Sequence, residues 1–440
     1  MRALILTWEF PPYIAGGLGM ACYGLSKALL ELGVEIDLML PCSENVYFPF
    51  RSPGDVDTMP VDFLRPEFRK ETLIKEIILK SSDINGKLKL LGISEYPESY
   101  ITPGFSFESF LNVFLSSNVD NFSQEIQLLN NYLNGDGHLF KKVKEFTSKA
   151  LQYASCHSCD VIHANDWLTY PAGMMLKKLM KKPLVAHIHA TEFDRAGGPG
   201  DERIHKIEYA GLMAADSVIA VSQYTAQMIM DRYMIDPRKI HVVHNAYTLS
   251  APVGPDKPKL FKDPLVLFLG RVTLQKGPDY LLEVARRVLE RYPRVRFVMA
   301  GSGDMFSAIL KGSATKRLKD RFLFTGFLNR EQVESILTAT DIFVLPSVSE
   351  PFGIAPLEAM AYGAVAIVSK QSGVSEVIKN AYKVDFWDVE KMTDVLVNLL
   401  EHPEERLSMA AAGQKEVLSI IWKEPANKTL KVYEEATCSI

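Results

Sequence analysis

Four residues of this 440-residue chain combine charge and spacing that could do chemistry: Arg271, Lys276, Glu350 and Glu358. Glu350 opens the run Glu350-Pro351-Phe352-Gly353-Ile354, and Glu358 follows eight positions later. Ile342-Phe343-Val344-Leu345 precedes this run as a short apolar, β-branched segment, the mark of a buried parallel strand. Pro356 suits a first helical turn, and Leu357-Glu358-Ala359-Met360-Ala361 are strong helix formers. The stretch therefore reads as strand, loop, helix, with Glu350 in the loop and Glu358 in the first helical turn. Gly353 allows close backbone approach, and N–H groups at Gly353 and Ile354 point out of the helix start, a geometry that binds a phosphate or diphosphate. A carboxylate in a first turn also complements the helix dipole, so Glu358 alone has a purely structural reading. Arg271 and Lys276 leave the end of the apolar run Leu265–Leu269, five residues apart. Two cations there would neutralise a leaving diphosphate.

The elements that must position these residues alternate strand and helix along the chain. Arg2–Thr7, Val34–Leu40, Asp160–His163, Leu184–Glu192, Asp216–Ser222 and Ile240–Asn245 read as strands or strand ends of a first α/β domain. Ala15-Gly16-Gly17-Leu18-Gly19 stands at the first strand-to-helix turn without the G-x-G-x-x-G spacing of a dinucleotide site. Ala164-Asn165-Asp166-Trp167 and His189 lie at C-terminal strand ends, where ligands collect in open α/β sheets. His187 shares a strand face with His189 and lies deeper in the strand. A lone histidine there is otherwise a satisfied core residue. The segment Asp194–Asp201 reads as a loop that could close over an acceptor. The pattern then repeats. Leu265–Leu269, Arg296–Ala300, Phe322–Leu328, Ile342–Leu345 and Val365–Val368 are its strands, and Gly301-Ser302-Gly303-Asp304 is a small loop that can face a nucleotide. A Pro- and Lys-rich stretch, Ala251–Asp263, separates the two halves. Domains are expected at 1–250 and 251–414, with a helix over 415–440 that crosses back to the first. An irregular insertion is expected at about 43–140.

Composition removes other classes. The formal net charge of −4 gives no global drive toward nucleic acid or an anionic membrane. No apolar run approaches a membrane span, and the opening Arg2–Thr7 run is too short for an export leader, so a cytoplasmic location is expected. Five scattered cysteines fit free thiols in a reducing compartment. Cys156-His157-Ser158-Cys159 lacks two further ligands at zinc spacing. Asp55-Val56-Asp57 reads as a solvated turn, and no metal site is expected.

The Glu350-Pro351-Phe352-Gly353…Glu358 pattern, with Arg271 and Lys276 at matching spacing, resembles the retaining nucleotide-sugar glycosyltransferases of the GT-B architecture. Within them it is most similar to the glycogen and starch synthases and their family 4/5 relatives. The resemblance spans 265–376, 1–40 and 160–245. It departs at Ile14, where a lysine is usual, at Asn165, where a histidine is usual, and at Asn245-Ala246, where Asn-Gly is usual. It implies two Rossmann-like, doubly wound domains facing across a cleft. It implies catalytic roles for Glu350, His189, Arg271 and Lys276, and donor binding by Gly16, Gly17, Gly301, Phe352, Gly353, Ile354 and Glu358. Asn165 and Asp166 would lie on the acceptor side. The implied reaction is retaining transfer of glucose from a nucleoside-diphosphate sugar to an α-glucan, with no metal or other cofactor. Two readings stand beside it: another nucleotide sugar passed to a surface polysaccharide, lipid-linked or small-molecule acceptor, and a non-catalytic glucan-binding protein.

Overall fold

The computed structural model describes residues 1–10, 17–41, 88–92, 138–154, 157–247, 260–316, 318 and 321–438. Two parallel sheets organise them. The first contains β1 (Arg2–Leu6), β2 (Glu35–Leu40), β3 (Leu88–Gly92), β4 (Val161–Asn165), β5 (Leu184–Ile188), β6 (Ser217–Ala220) and β7 (Ile240–Val242), in the order β3-β2-β1-β4-β5-β6-β7. The second contains β8 (Leu265–Leu269), β9 (Arg296–Ala300), β10 (Phe322–Gly326), β11 (Ile342–Leu345), β12 (Val365–Ser369) and β13 (Tyr382–Val384), in the order β10-β9-β8-β11-β12-β13. β4, β5, β11 and β12 are buried at every position. Strands covered on both faces lose the in-out alternation and become short apolar runs, which is why they stand out in the sequence. Each sheet reverses its strand order once, at β1/β4 and at β8/β11. In the second sheet the register sets Val266 beside both Phe297 and Ile342.

The described residues form two compact units: Met1–Ile188 with Arg203–Ile219 and Ala426–Ile440, and His189–Glu202 with Ala220–Pro425. These compact units divide at 188, 202, 219 and 425, a grouping by contact that differs from the expected limits at 250 and 414. Local side-chain bonds account for this. In the second unit, Glu376 accepts hydrogen bonds from the backbone N–H groups of Gln223 and Tyr224 at 2.8 Å each and pairs with His244 at 2.7 Å. Ser222 Oγ donates to Pro351 O at 2.5 Å, so Ser222–Tyr224 and His244 are tied to the loops of the second sheet. In the first unit, Tyr433 OH lies 2.5 Å from His163 Nδ1, and His163 Nε2 lies 3.1 Å from His187 Nδ1. The helix expected to cross back to the first domain is Lys423–Cys438, which from Ala426 onward belongs to the first unit, and the separate helix Pro403–Val417 precedes it. Most of the expected 43–140 insertion lies outside the described residues, except β3, which pairs in parallel with β2, and the helix His138–Ala154.

Candidate active site

The chain leaves β8 through Gly270 and the exposed Arg271 into a single 3-10 turn, Leu274–Lys276. Gly277 closes the turn at φ +61°, and a Cβ there would fall 2.2 Å from Pro346 O, so glycine is required twice over. The turn is tied to the β11 exit, since Val348 N donates to Gln275 O at 2.9 Å. Buried Gln275 accepts from Arg271 Nη2 at 3.2 Å, which orients the guanidinium. Lys276 Nζ then forms an ion pair with Glu350 Oε2, which also accepts from Ser347 Oγ at 3.1 Å. The Lys276 and Glu350 side chains are 16% and 7% exposed, so water screens this pair weakly.

The backbone around Glu350 is equally fixed. Its N–H donates to Gln371 O at 3.0 Å, and its carbonyl accepts from Gly373 N at 2.9 Å. Gly353 sits at φ +95°, with its missing Cβ 3.0 Å from Glu350 Cγ. Helix Ile354–Ala361 starts directly after it, and no side chain caps that start. Its first N–H groups therefore keep the anion-binding geometry read from the sequence. Two details differ. Pro356 is the third helical residue, and Glu358 is the fifth, so Glu358 lies in the second turn. Its partner there is Arg330, whose Nη1 is 3.0 Å from Glu358 Oε1. Burial pushes the Glu358 carboxyl up, and Arg330 opposes the shift.

Phe352, expected to bind donor, is 3% exposed and packs among Val221, Leu357, Met360 and Val374. Its ring anchors the loop from below. Gly301 has φ +135°, and a Cβ would lie 1.8 Å from Gly270 O. Only glycine permits this approach of the β9 exit to the β8 exit. Gly16 lies outside the described residues, as do Asp55, Asp57 and Cys156. Gly17 is exposed and begins the helix Gly17–Glu31.

His189 follows β5 directly and is half-buried. Burial pushes its imidazole down to about 3, so the ring is neutral near pH 7. The segment after it is helical as far as Ala196 and an exposed loop from Gly197 to Gly200. Thr191 caps a short helix, Glu192–Ala196, in a capping box with Asp194, and Asp194 is 1% exposed. Asp194 Oδ1 accepts a hydrogen bond from Ser349 Oγ, one residue before Glu350. Tyr224 OH lies 3.0 Å from the same Ser349 Oγ. Burial pushes the Asp194 carboxyl up, against the bonds from Ser349 and Thr191. Asp194, Ser349, Tyr224 and Arg330 were not singled out from the sequence. Their partners lie 28 to 155 positions away, and no local spacing signals them.

In the first unit Asn165 is buried, and its amide donates to Leu6 O at 3.0 Å, tying β4 to β1. That bond is structural work, in place of the acceptor-facing role expected. Asp166 follows with φ +56°, in the left-handed region that Asp tolerates better than most residues. Lys177 pairs with Asp216 at 2.7 Å. Burial pushes the Cys159 thiol up to about 12, so it stays protonated. Among the described residues, no cluster of three or more His, Cys, Asp or Glu could hold a metal ion. No helix among them is long and apolar enough to cross a membrane.

Arg271, Lys276, Glu350, Gly301 and the Ile354 helix start thus converge at C-terminal strand ends, around the strand-order reversal of the second sheet. In open α/β sheets that position binds ligands. What the arrangement offers is anion binding beside a fixed carboxylate.

Comparison with known proteins gives the family. The family model for glycosyl transferases group 1 matches residues 255–416, that for glycosyltransferase family 4 matches 113–250, and that for the starch synthase catalytic domain matches 2–86. The supposed insertion at 43–140 therefore lies inside these matches except between 86 and 113. An uncharacterised glycosyltransferase of Bacillus subtilis is 31% identical, over 59% of this chain and 73% of its own length. One from Methanocaldococcus jannaschii is 26% identical over 99% and 98%. A glycogen synthase of Mycobacterium tuberculosis is 24% identical over 98% and 94%. Among solved structures, sucrose-phosphate synthase from Thermosynechococcus elongatus superimposes with a TM-score of 0.68 at 18% identity, over 100% of both chains. Anabaena HepE, solved with UDP and glucose, gives 0.66 at 14% identity over 99% and 100%.

Proposed function

This chain belongs to the GT-B glycosyltransferases, and from that membership we propose that it transfers glucose from a nucleoside-diphosphate sugar to an α-glucan with retention of configuration. The observation that carries the proposal is the Lys276–Glu350 pair, fixed by Ser347 beside Arg271 and the Ile354 helix start. Arg271, Lys276 and the helix N–H groups hold the diphosphate and take up the charge it gains on leaving. The bond from the anomeric carbon to the diphosphate oxygen breaks, and its electron pair leaves with the diphosphate. The acceptor hydroxyl oxygen bonds to that carbon, and its proton passes to the released diphosphate. The anomeric carbon is electron-poor in between, and Glu350 stabilises it. Lys276 bridges both groups, because it pairs with Glu350 and reaches the diphosphate. Glu358 holds the ribose hydroxyls. Neutral His189 hydrogen-bonds a sugar hydroxyl without adding positive charge near the anomeric carbon.

The glucose reading draws support from the similar glycogen synthase and from HepE, whose structure holds UDP and glucose. A second reading, another nucleotide sugar passed to a surface polysaccharide, lipid-linked or small-molecule acceptor, is favoured by Asn165. That residue is buried against Leu6 where the synthases usually carry a histidine. One assay separates the two: UDP-, ADP- and GDP-sugars of several hexoses, offered with maltoheptaose and with chelator present. The proposal expects chain extension from a glucose donor without divalent metal, because Arg271 and Lys276 supply the positive charge. Transfer or donor hydrolysis with a different sugar alone would select the second reading. Activity lost in chelator and restored by magnesium would overturn the metal-free mechanism.

A further inference from the structure

We propose that Asp194 is a positioning residue for the Glu350 loop, acting through Ser349; the inference rests on Glu350 being the group beside the donor sugar. Asp194 accepts three hydrogen bonds. Thr191 N and Thr191 Oγ1 each lie 2.7 Å from Oδ2, and Ser349 Oγ donates to Oδ1. These three bonds oppose the upward push of burial on the carboxyl, and each uses an Asp194 oxygen as acceptor. Ser349 has one hydroxyl hydrogen, and Asp194 takes it. Tyr224 must then be the donor across the 3.0 Å contact to Ser349 Oγ. The bonds run one way, from Tyr224 to Ser349 to Asp194. All three residues are at least half-buried, where a misdirected hydroxyl would leave a polar group unsatisfied.

This chain ends one residue from Glu350. Val348 is held by its bond to Gln275 O, and Glu350 by its bond to Gln371 O. Ser349, between them, is held through its side chain by Asp194. The Glu350 carboxylate is pinned at its tip by Lys276 and Ser347, and the Asp194 contact fixes the backbone from which it extends. Asp194 can act this way because the capping box at Thr191 makes its own helix rigid. An asparagine at 194 presents an N–H₂ group on one side. It must lose either the Thr191 bonds or the Ser349 bond, or reverse the Tyr224–Ser349 direction.

The test uses the full chain with Asp194→Asn, Ser349→Ala, Ser349→Thr and the double variant Asp194→Asn/Ser349→Ala. Donor turnover should fall about tenfold to a hundredfold in the first two, the scale of a small misplacement of a catalytic group, with the nucleotide-sugar KM within about twofold. Ser349→Thr keeps the hydroxyl and should restore turnover. The double variant should fall no further than its worse single, because both break one chain. A residue that merely supported the fold would lower Tm and leave kcat of the folded protein unchanged. That result, or additive losses in the double variant, overturns the proposal. If Asp194→Asn fails to fold, the Ser349 pair decides. If the unaltered chain turns over no nucleotide sugar, the functional reading fails by itself. A crystal structure of Ser349→Ala then decides the positioning role: Glu350 displaced from Lys276 supports it, and Glu350 unmoved refutes it.

Discussion

Replacing Lys276 by alanine should damage stability and catalysis together, and a second substitution should separate the two. The Lys276–Glu350 pair is largely shielded, with side chains 16% and 7% exposed. Removing one partner of a buried pair costs about 3–5 kcal/mol, because the other charge is left uncompensated. Here Ser347 still donates to Glu350, and the residual exposure at Lys276 admits water, so about 1–3 kcal/mol is expected. For a body of this size each kcal/mol shifts Tm by roughly 2–4 °C, so Lys276→Ala should melt about 2–12 °C lower. Adding Glu350→Gln removes the stranded charge and should recover most of that loss. Catalysis behaves differently. A lost contact to a developing negative charge raises the barrier by about 3–4 kcal/mol, so kcat/KM should fall about a hundredfold to a thousandfold. The double variant should remain inactive although more stable. Thermal melting and steady-state kinetics on the two variants and the unaltered chain measure both effects. The reasoning fails if Lys276→Ala loses less than about tenfold in kcat/KM, or if the double variant melts no higher than Lys276→Ala.

Two further outcomes are expected. Glu350→Gln should lower kcat with little change in donor KM, while Glu358→Gln should chiefly raise donor KM, since ribose contacts act in ground and transition states alike. Arg330 keeps its 2.8 Å bond to Glu334 in the second variant, so its melting temperature should fall little; the opposite kinetic split would reverse the two roles. His189 is lowered to about 3 in the fold and titrates near 6.5 in the unfolded chain, so its contribution is complete above pH 6.5 and is lost as pH falls toward 3. By pH 5 this amounts to about 1–2 kcal/mol, and His189→Asn should show a visibly shallower loss of Tm between pH 7 and pH 5 than the unaltered chain; equal slopes would contradict a neutral, shielded ring.

The residues legible in the sequence share a physical cause. Arg271, Lys276 and Glu350 follow strands β8 and β11, whose runs Leu265–Leu269 and Ile342–Leu345 are buried on both faces. Such strands announce themselves locally, and the fold places their C-terminal ends together without further help. Errors arose where a local signal admits two answers. Pro356 suits a first turn, but a proline at any of the first three helical positions removes only an N–H that lacks a helical partner. The positive φ of Gly353 set the true start, and Glu358 moved one turn deeper. Phe352 carried the look of the site by standing between Pro351 and Gly353, yet its ring fills the apolar cluster beneath them.

What could not be read at all are the ties that hold the local pieces in place. Tyr433 meets His163 across 270 positions, Ser349 meets Asp194 across 155, and Glu376 meets Gln223 across 153. Each joins an ordinary polar residue to another, with no periodicity and no cluster in sequence. Their effect is nonetheless large, because each satisfies a buried or half-buried polar group that would otherwise oppose the fold. Glu376 shows how such a tie works. Burial pushes its carboxyl up, but His244 and the two backbone N–H donors more than offset this and hold it below its ordinary value. Those same bonds place helix Gln223–Tyr233 so that Ser222 reaches Pro351 and Tyr224 reaches Ser349. Glu350 therefore owes its chemistry to a local motif, and owes its position to residues that the motif does not contain.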